Sequence, residues 1–289
     1  MDMKLKTTIV ETLWKIILSD DKSGQYESNL MRRICGLLYL PDKFSGEIKL
    51  NILKEKIRSG EKLIGVSLIP HNAFNYIDEI VSIKKYNFVA IDSQHQPLKE
   101  EKLSKFCLKS NDLGLPVLLR IKHRNEIFLS GNYLDLGVSM IEVPQVEDIS
   151  EVINANLYMK YPSIGKRSWG GETRVCINEI PGRLEYSSWW NKKSVFWAQI
   201  ESIKAVNNAN LFAINGADIL SWGPNDLAFN LEQNIKDPLK SDDDCINNVL
   251  TQLKDSNTKL CVRTYSDYDI SKYNSMGVTL FLDETILVA

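Results

Sequence analysis

From about residue 60 onward, short apolar runs alternate with longer stretches whose apolar residues recur at helical spacing. The runs are LIGVSL (63–68), FVAID (88–92), PVLLRI (116–121), SMIEVP (139–144), SVFWAQIE (194–201), ADILSW (217–222), KLCVR (259–263) and VTLFL (278–282). Strands this apolar on both faces suit a parallel sheet covered by helices, and segments such as FNYIDEIVSIKKY and EEKLSKFCLKSNDLG have the pattern of such helices. Eight βα units in roughly 230 residues is the arithmetic of a TIM barrel. The expected class is therefore α/β, a (β/α)8 barrel.

About 50 residues precede the first unit. TIVETLWKIIL and ESNLMRRICGLLYL each read as an amphipathic helix, with Ser19 to Gly24 between them and LPDKFSG as a turn. The pattern divides the chain into an N-terminal helical extension, residues 1–48, and a barrel domain, residues 49–289. A Gly-, Trp- and Arg-rich insert from Tyr161 to Lys193 exceeds an ordinary connection. It is expected on the C-terminal side of the barrel, where long loops carry function.

Composition narrows the function classes. The 289 residues are 44% hydrophobic and 25% charged, enough to bury a full core. Thirty-five basic residues against 37 acidic ones leave a formal charge of -2, with no dense basic run to track phosphates, so nucleic acid is not an expected partner. Five widely spaced cysteines, Cys35, Cys107, Cys176, Cys245 and Cys261, contain no CxxC pair, which argues against a disulfide framework and against a thiolate zinc site. Charge interrupts the N-terminal apolar residues, so neither a signal peptide nor a membrane span is expected, and the cytoplasm is the default location.

In a TIM barrel the site is built where the strands end, so the last residues of each run are informative. The second strand ends in Asp92, followed by Gln94 and His95; the third ends in Arg120 and the fifth in Gln199 and Glu201. The sixth runs into GPNDLA, with Asp226 four residues past Trp222. Singly, each has an ordinary explanation: a helix cap for Asp226, a loop histidine for His95, a structural ion pair for Arg120, a solvated strand end for Glu201. Independent causes would scatter such residues over both ends, whereas these share one. Glu201 and Asp226 suit a hard divalent ion such as magnesium or manganese, which polarises a carbonyl. Arg120 would neutralise an enolate oxygen, the GPND turn can offer N–H groups to a carboxylate, and a histidine moves protons at neutral pH. Enolisation of a 2-keto acid, or carbon–carbon cleavage releasing the same enolate, fits that set.

IDSQH resembles the signature of the HpcH/HpaI aldolase family, the metal-dependent pyruvate aldolases, and LLRI, LDLGVSMIEVPQVE, YPSIGKRSWGG, QIES and WGPNDLA resemble its later motifs in the same order. The resemblance runs from about Leu50 to Leu287. It implies that Glu201 and Asp226 hold a divalent ion, magnesium or manganese with cobalt as a further choice. It implies that Arg120 contacts the keto oxygen of pyruvate, that His95 is the general base acting through a water on the metal, and that Asp92 orients either the arginine or the histidine. Gln199 would line the pyruvate pocket, and Gly223 and Asn225 would bind the substrate carboxylate through main-chain N–H groups. Asp135 matches an aspartate that reaches a neighbouring subunit's histidine, which implies a homo-oligomer with active sites near subunit interfaces. The implied reaction is cleavage of a 4-hydroxy-2-keto acid to pyruvate and an aldehyde through a pyruvate enolate on the metal. Oxaloacetate decarboxylation and a non-catalytic barrel used for binding or assembly are the alternatives.

Three departures from the family pattern stand out. Gln94 occupies a position usually held by glutamate, the chain stops at Ala289 directly after the eighth strand with no C-terminal eighth helix, and the insert carries Trp169, Trp189 and Trp190. The insert either reshapes the pocket for the second substrate or packs as a lid without affecting specificity.

Overall fold

All eight apolar runs are strands. In a computed structural model, Leu63–Leu68 (β1), Phe88–Asp92 (β2), Val117–Arg120 (β3), Met140–Val143 (β4), Val195–Ile200 (β5), Ile219–Trp222 (β6), Lys259–Thr264 (β7) and Leu280–Asp283 (β8) pair in sequence order, every pair parallel. β8 closes on β1 through Leu63 opposite Leu280, giving a (β/α)8 barrel. The structure describes residues 3–19, 25–38, 53–70, 77, 79, 86–177, 180 and 182–285. The LPDKFSG turn, the 48/49 boundary and most of FNYIDEIVSIKKY lie outside the described residues.

Side chains alternate along a strand, so each strand sends one phase into the barrel and the other toward the helices. The inward phase is Leu63, Phe88, Ala90, Leu118, Met140, Val195, Trp197, Ile219, Cys261, Leu280 and Leu282, with Leu53 and Ile57 from the helical turn before β1 packed onto it. Phe88 and Trp197 meet edge-on at 5.4 Å. Gly65 is required here, because a Cβ on it would come within 2.2 Å of the Phe88 ring. The outward phase packs against helices that include Glu100–Asp112, Ile149–Met159, Pro224–Gln233 and Asp242–Gln252.

The two N-terminal helices run Met3–Ser19 and Gln25–Leu37, and join through a small core of Val10, Trp14, Met31 and Cys35. The insert corrects the sequence expectation. It leaves the C-terminus of helix Ile149–Met159 and ends in helix Arg183–Lys193, directly before β5, so it is a helix-to-strand connection at the N-terminal end of the barrel. Its contacts agree: Thr173 Oγ1 donates to the carbonyl of Asp135 just ahead of β4, and Trp190 Nε1 donates to Met159 O. It therefore cannot shape the pocket of its own barrel at the opposite, C-terminal end.

Candidate active site

At the C-terminal end the inward phase turns from apolar to polar on seven strands: Ser67, Asp92, Arg120, Glu142, Gln199, Ser221 and Arg263. Adjacent strands bring Asp92 opposite Arg120 and Gln199 opposite Ser221. The side chains form two walls.

On the first wall Arg120 and Asp92 make a two-pronged ion pair, with Nε donating to Oδ1 at 2.9 Å and Nη2 to Oδ2 at 2.8 Å. Nη1 of Arg120 donates to Gln199 Oε1 at 3.3 Å. Burial alone would raise the Asp92 carboxyl, but the Arg120 pair and the Gln94 N–H outweigh it and hold the carboxyl below its ordinary value. Asp92 thus orients the arginine. His95 is exposed beyond this wall, within electrostatic reach of Asp92. Gln94 Oε1 is buried with no hydrogen-bond partner among the described residues.

Glu201 lies just past β5 and is 8% exposed. Its Oε2 is buried and has no hydrogen-bond partner among the described residues. Burial first, then the charge of Asp226, raise its carboxyl to about 7, with Arg120 and Arg263 opposing. Asp226 is the third residue of helix Pro224–Gln233, whose N-cap is Gly223 and whose first residue is a proline, a common opening. Gly223 is needed for space: a Cβ on it would come within 2.2 Å of Glu201 Oε1.

The N–H of Gly223 is donated to Ile200 O at 3.2 Å, so it is spent on the sheet and not available to a substrate carboxylate. The first-turn N–H groups of Asn225 and Asp226 have no intrahelical acceptor, and they lie at the positive end of the helix.

A divalent cation fits these residues. Two carboxylates on adjacent strand ends couple electrostatically, and one carries an unpartnered buried oxygen, the pattern that a cation relieves. Among the described residues no group of three His, Cys, Asp or Glu side chains could hold a metal ion.

The second wall was not read from the sequence. Ser221 Oγ donates to Glu142 Oε1 at 2.5 Å, and Arg263 bridges Glu142 Oε1 through Nη2 at 3.0 Å and Glu284 Oε1 through Nη1 at 2.8 Å. Its signal was present, since KLCVR ends in Arg263 and SMIEVP carries Glu142 near its end, both in the inward phase.

Asp135 stands apart. It ends helix Ser130–Asp135, just ahead of β4, at the N-terminal end of its own barrel, and receives Arg167 Nη2 at 2.6 Å. Burial raises its carboxyl although Arg167 opposes. The Arg167 guanidinium is held over Tyr161 and Trp190, at 4.7 and 4.8 Å from the ring centroids.

Fold and site together define a TIM-barrel enzyme with an arginine and two acids at its strand ends. A family model described as HpcH/HpaI aldolase/citrate lyase matches residues 71–267, more than half of the chain. The chain belongs to this family, and it is a carbon–carbon lyase. Divalent-metal dependence is typical of that family. The chain is similar to 2-keto-3-deoxy-L-rhamnonate aldolase of Escherichia coli (strain K12), 26% identical over 184 residues covering 63% of this chain and 67% of that protein. The protein of that name from Salmonella gallinarum is 24% identical over 183 residues, with the same coverage.

Among solved structures, the HpcH/HpaI aldolase from Desulfitobacterium hafniense DCB-2 superposes with a TM-score of 0.67 at 22% identity, covering 80% of this chain and 89% of that one. Macrophomate synthase gives 0.65 at 20% identity over 82% and 83%. These likenesses are of fold. A second family model, tellurite resistance protein TerB, matches residues 1–50, a similarity that the helical pattern alone did not reveal. Among the described residues, no helix is long and apolar enough to cross a membrane.

Proposed function

We propose that the protein cleaves a 4-hydroxy-2-keto acid to pyruvate and an aldehyde, and catalyses the reverse addition. The observation that carries this reading is the Arg120 guanidinium, locked by Asp92 beside a buried Glu201 whose free oxygen faces no protein donor among the described residues. Glu201 and Asp226 would hold the divalent ion, magnesium or manganese with cobalt as a third choice, and the ion would supply the charge that polarises the keto group.

This chain's residues supply the rest. The N–H groups of Asn225 and Asp226 receive the substrate carboxylate at the helix N-terminus. Arg120 Nη1, already turned toward Gln199, donates to the keto oxygen and holds the negative charge as the C3–C4 bond breaks, its electron pair forms the C2=C3 double bond and the C2=O π pair moves onto oxygen. The proton on the C4 hydroxyl must leave in the same step, and a proton must return to C3 afterwards. His95, at the rim beside Asp92, is the candidate carrier. Asp135, at the far end of its own barrel, serves a second copy's site, which calls for a homo-oligomer. Buried thiols such as Cys107, Cys245 and Cys261 fit a cytoplasmic location.

Gln94 favours a second reading, decarboxylation of oxaloacetate, because an amide cannot accept a proton and that reaction needs no base. Nuclear magnetic resonance of pyruvate in heavy water, with manganese or with chelator, tests the shared enolate: metal-dependent exchange at C3 is expected. Parallel incubations with oxaloacetate and with pyruvate plus short aldehydes separate the two reactions. Binding of no divalent metal at millimolar concentration would instead favour a non-catalytic barrel.

A further inference from the structure

The second wall climbs from the dry interior to the rim. Ser221 and Glu142 are buried, Arg263 joins Glu142 to Glu284, and Glu284 is where the chain of contacts meets solvent, its side chain 13% exposed against 2% for Glu142. Glu284 continues the inward phase of β8 after Leu280 and Leu282, and its N–H donates to Thr264 O at 2.8 Å, which extends the ladder one residue past the strand. Tyr265 follows β7 and is 46% exposed; its hydroxyl interacts with Glu284 and feels the charges of Arg263 and Arg120.

Packing does not demand such a wall. A buried arginine with two carboxylates loses hydration that apolar side chains of similar volume would not, and such replacements are often neutral or stabilising. The gain from the arrangement is positional: Arg263 fixes a carboxylate at the mouth, opposite Arg120.

We propose that Glu284, fixed by Arg263, and the Tyr265 hydroxyl form the subsite for the aldehyde half of the substrate and select a neutral hydroxyaldehyde over one bearing a carboxylate. This rests on the lyase reading above. Charge decides the class. Among the described residues, Arg120 cancels Asp92 on the first wall, and a divalent ion would cancel Glu201 and Asp226. Arg263 offsets only one of Glu142 and Glu284, so the second wall keeps one net negative charge. Pyruvate adds another. A second carboxylate entering here meets repulsion in a site of low dielectric, whereas hydroxyl groups find an anionic acceptor in Glu284 and a second acceptor in the Tyr265 oxygen, whose proton is directed at Glu284.

The test compares pyruvate addition to glycolaldehyde and to succinic semialdehyde, using the manganese-loaded full chain. For each variant both rates are divided by its own rate of pyruvate C3 exchange in heavy water. The wild type is expected to favour glycolaldehyde. Glu284→Gln keeps the shape and should lower the glycolaldehyde-to-semialdehyde ratio of kcat/KM about tenfold, as expected for loss of a charged acceptor. Tyr265→Phe should lower it less, in the same direction. An unchanged ratio in both variants overturns the subsite, as does a wild type that prefers the semialdehyde or that exchanges pyruvate yet adds no aldehyde. A wild type that neither exchanges nor adds overturns the lyase reading, and the subsite with it.

Discussion

Arg120 and Asp92 face each other across β3 and β2, joined by two parallel hydrogen bonds of 2.9 and 2.8 Å. A lysine keeps the charge but cannot make both contacts or hold a fixed direction. Arg120→Ala should lower kcat at least about a hundredfold, and Arg120→Lys should recover little of it. The freed Asp92 carboxylate is partly solvated, so stability should fall by only about 1–3 kcal/mol. Steady-state rates with circular dichroism on the same samples check both. A loss of only a few-fold in the alanine variant means that another group holds the enolate charge.

The raised carboxyl of Glu201 gives a pH dependence. The folded chain holds this proton more tightly than the unfolded chain, so unfolding releases it. In metal-free protein the associated stability is greatest below the ordinary carboxyl value and is lost as pH rises to about 7, by up to about 3 kcal/mol. Thermal midpoints of the metal-free wild type and Glu201→Gln at pH 5 and pH 8 should show the wild type losing more across that window. Equal losses would place the titrating proton elsewhere.

Gly223 carries no chemistry of its own yet borders the acid. Because an added Cβ would come within 2.2 Å of Glu201 Oε1, Gly223→Ala must push the carboxylate out of place. Manganese affinity by calorimetry should fall about tenfold or more, since a displaced ligand loses its coordination geometry. Unchanged affinity would mean that Glu201 does not bind the ion.

Asp135 and Arg120 occupy opposite ends of one barrel, so a shared site needs two chains. Asp135→Asn and Arg120→Ala should each be inactive alone. Chains of the two kinds refolded together should regain activity, because some sites then combine an intact arginine with an intact aspartate. A mixture no better than its parts would rule out a site shared in this way.

The Arg263 bridge yields a stability prediction. Arg263→Met leaves Glu142 buried and uncompensated and should lose about 3–5 kcal/mol, while Arg263→Met with Glu142→Leu should recover most of it. Urea melts of the three proteins measure the difference, and equal midpoints for the single and double variants would mean that the buried Glu142 carboxylate is not the source of the loss.

Much of the fold was legible because eight apolar runs with helical stretches between them admit few topologies, and the strand limits were set by where apolar residues stop. The insert was misplaced because its length and tryptophans carry no record of which barrel end they meet; only its position after a helix and before β5 decides that. The first wall was readable since Asp92, Arg120, Gln199 and Glu201 end their strands. The second went unread, although Glu142 and Arg263 sit equally near strand ends, because the contact that makes them a wall joins β4 to β7 and exists only in the closed barrel.

Local sequence alone determined the strand phases and which residue types would stand at their ends, since alternation is a property of each strand by itself. Which of those residues touch was decided by closure and register. Barrel closure turned Arg263 toward both Glu142 and Glu284, and a helix starting at Gly223 directly after β6 brought Asp226 within the field of Glu201. Such contacts join positions far apart in the chain, and their geometry exists only once the sheet has closed.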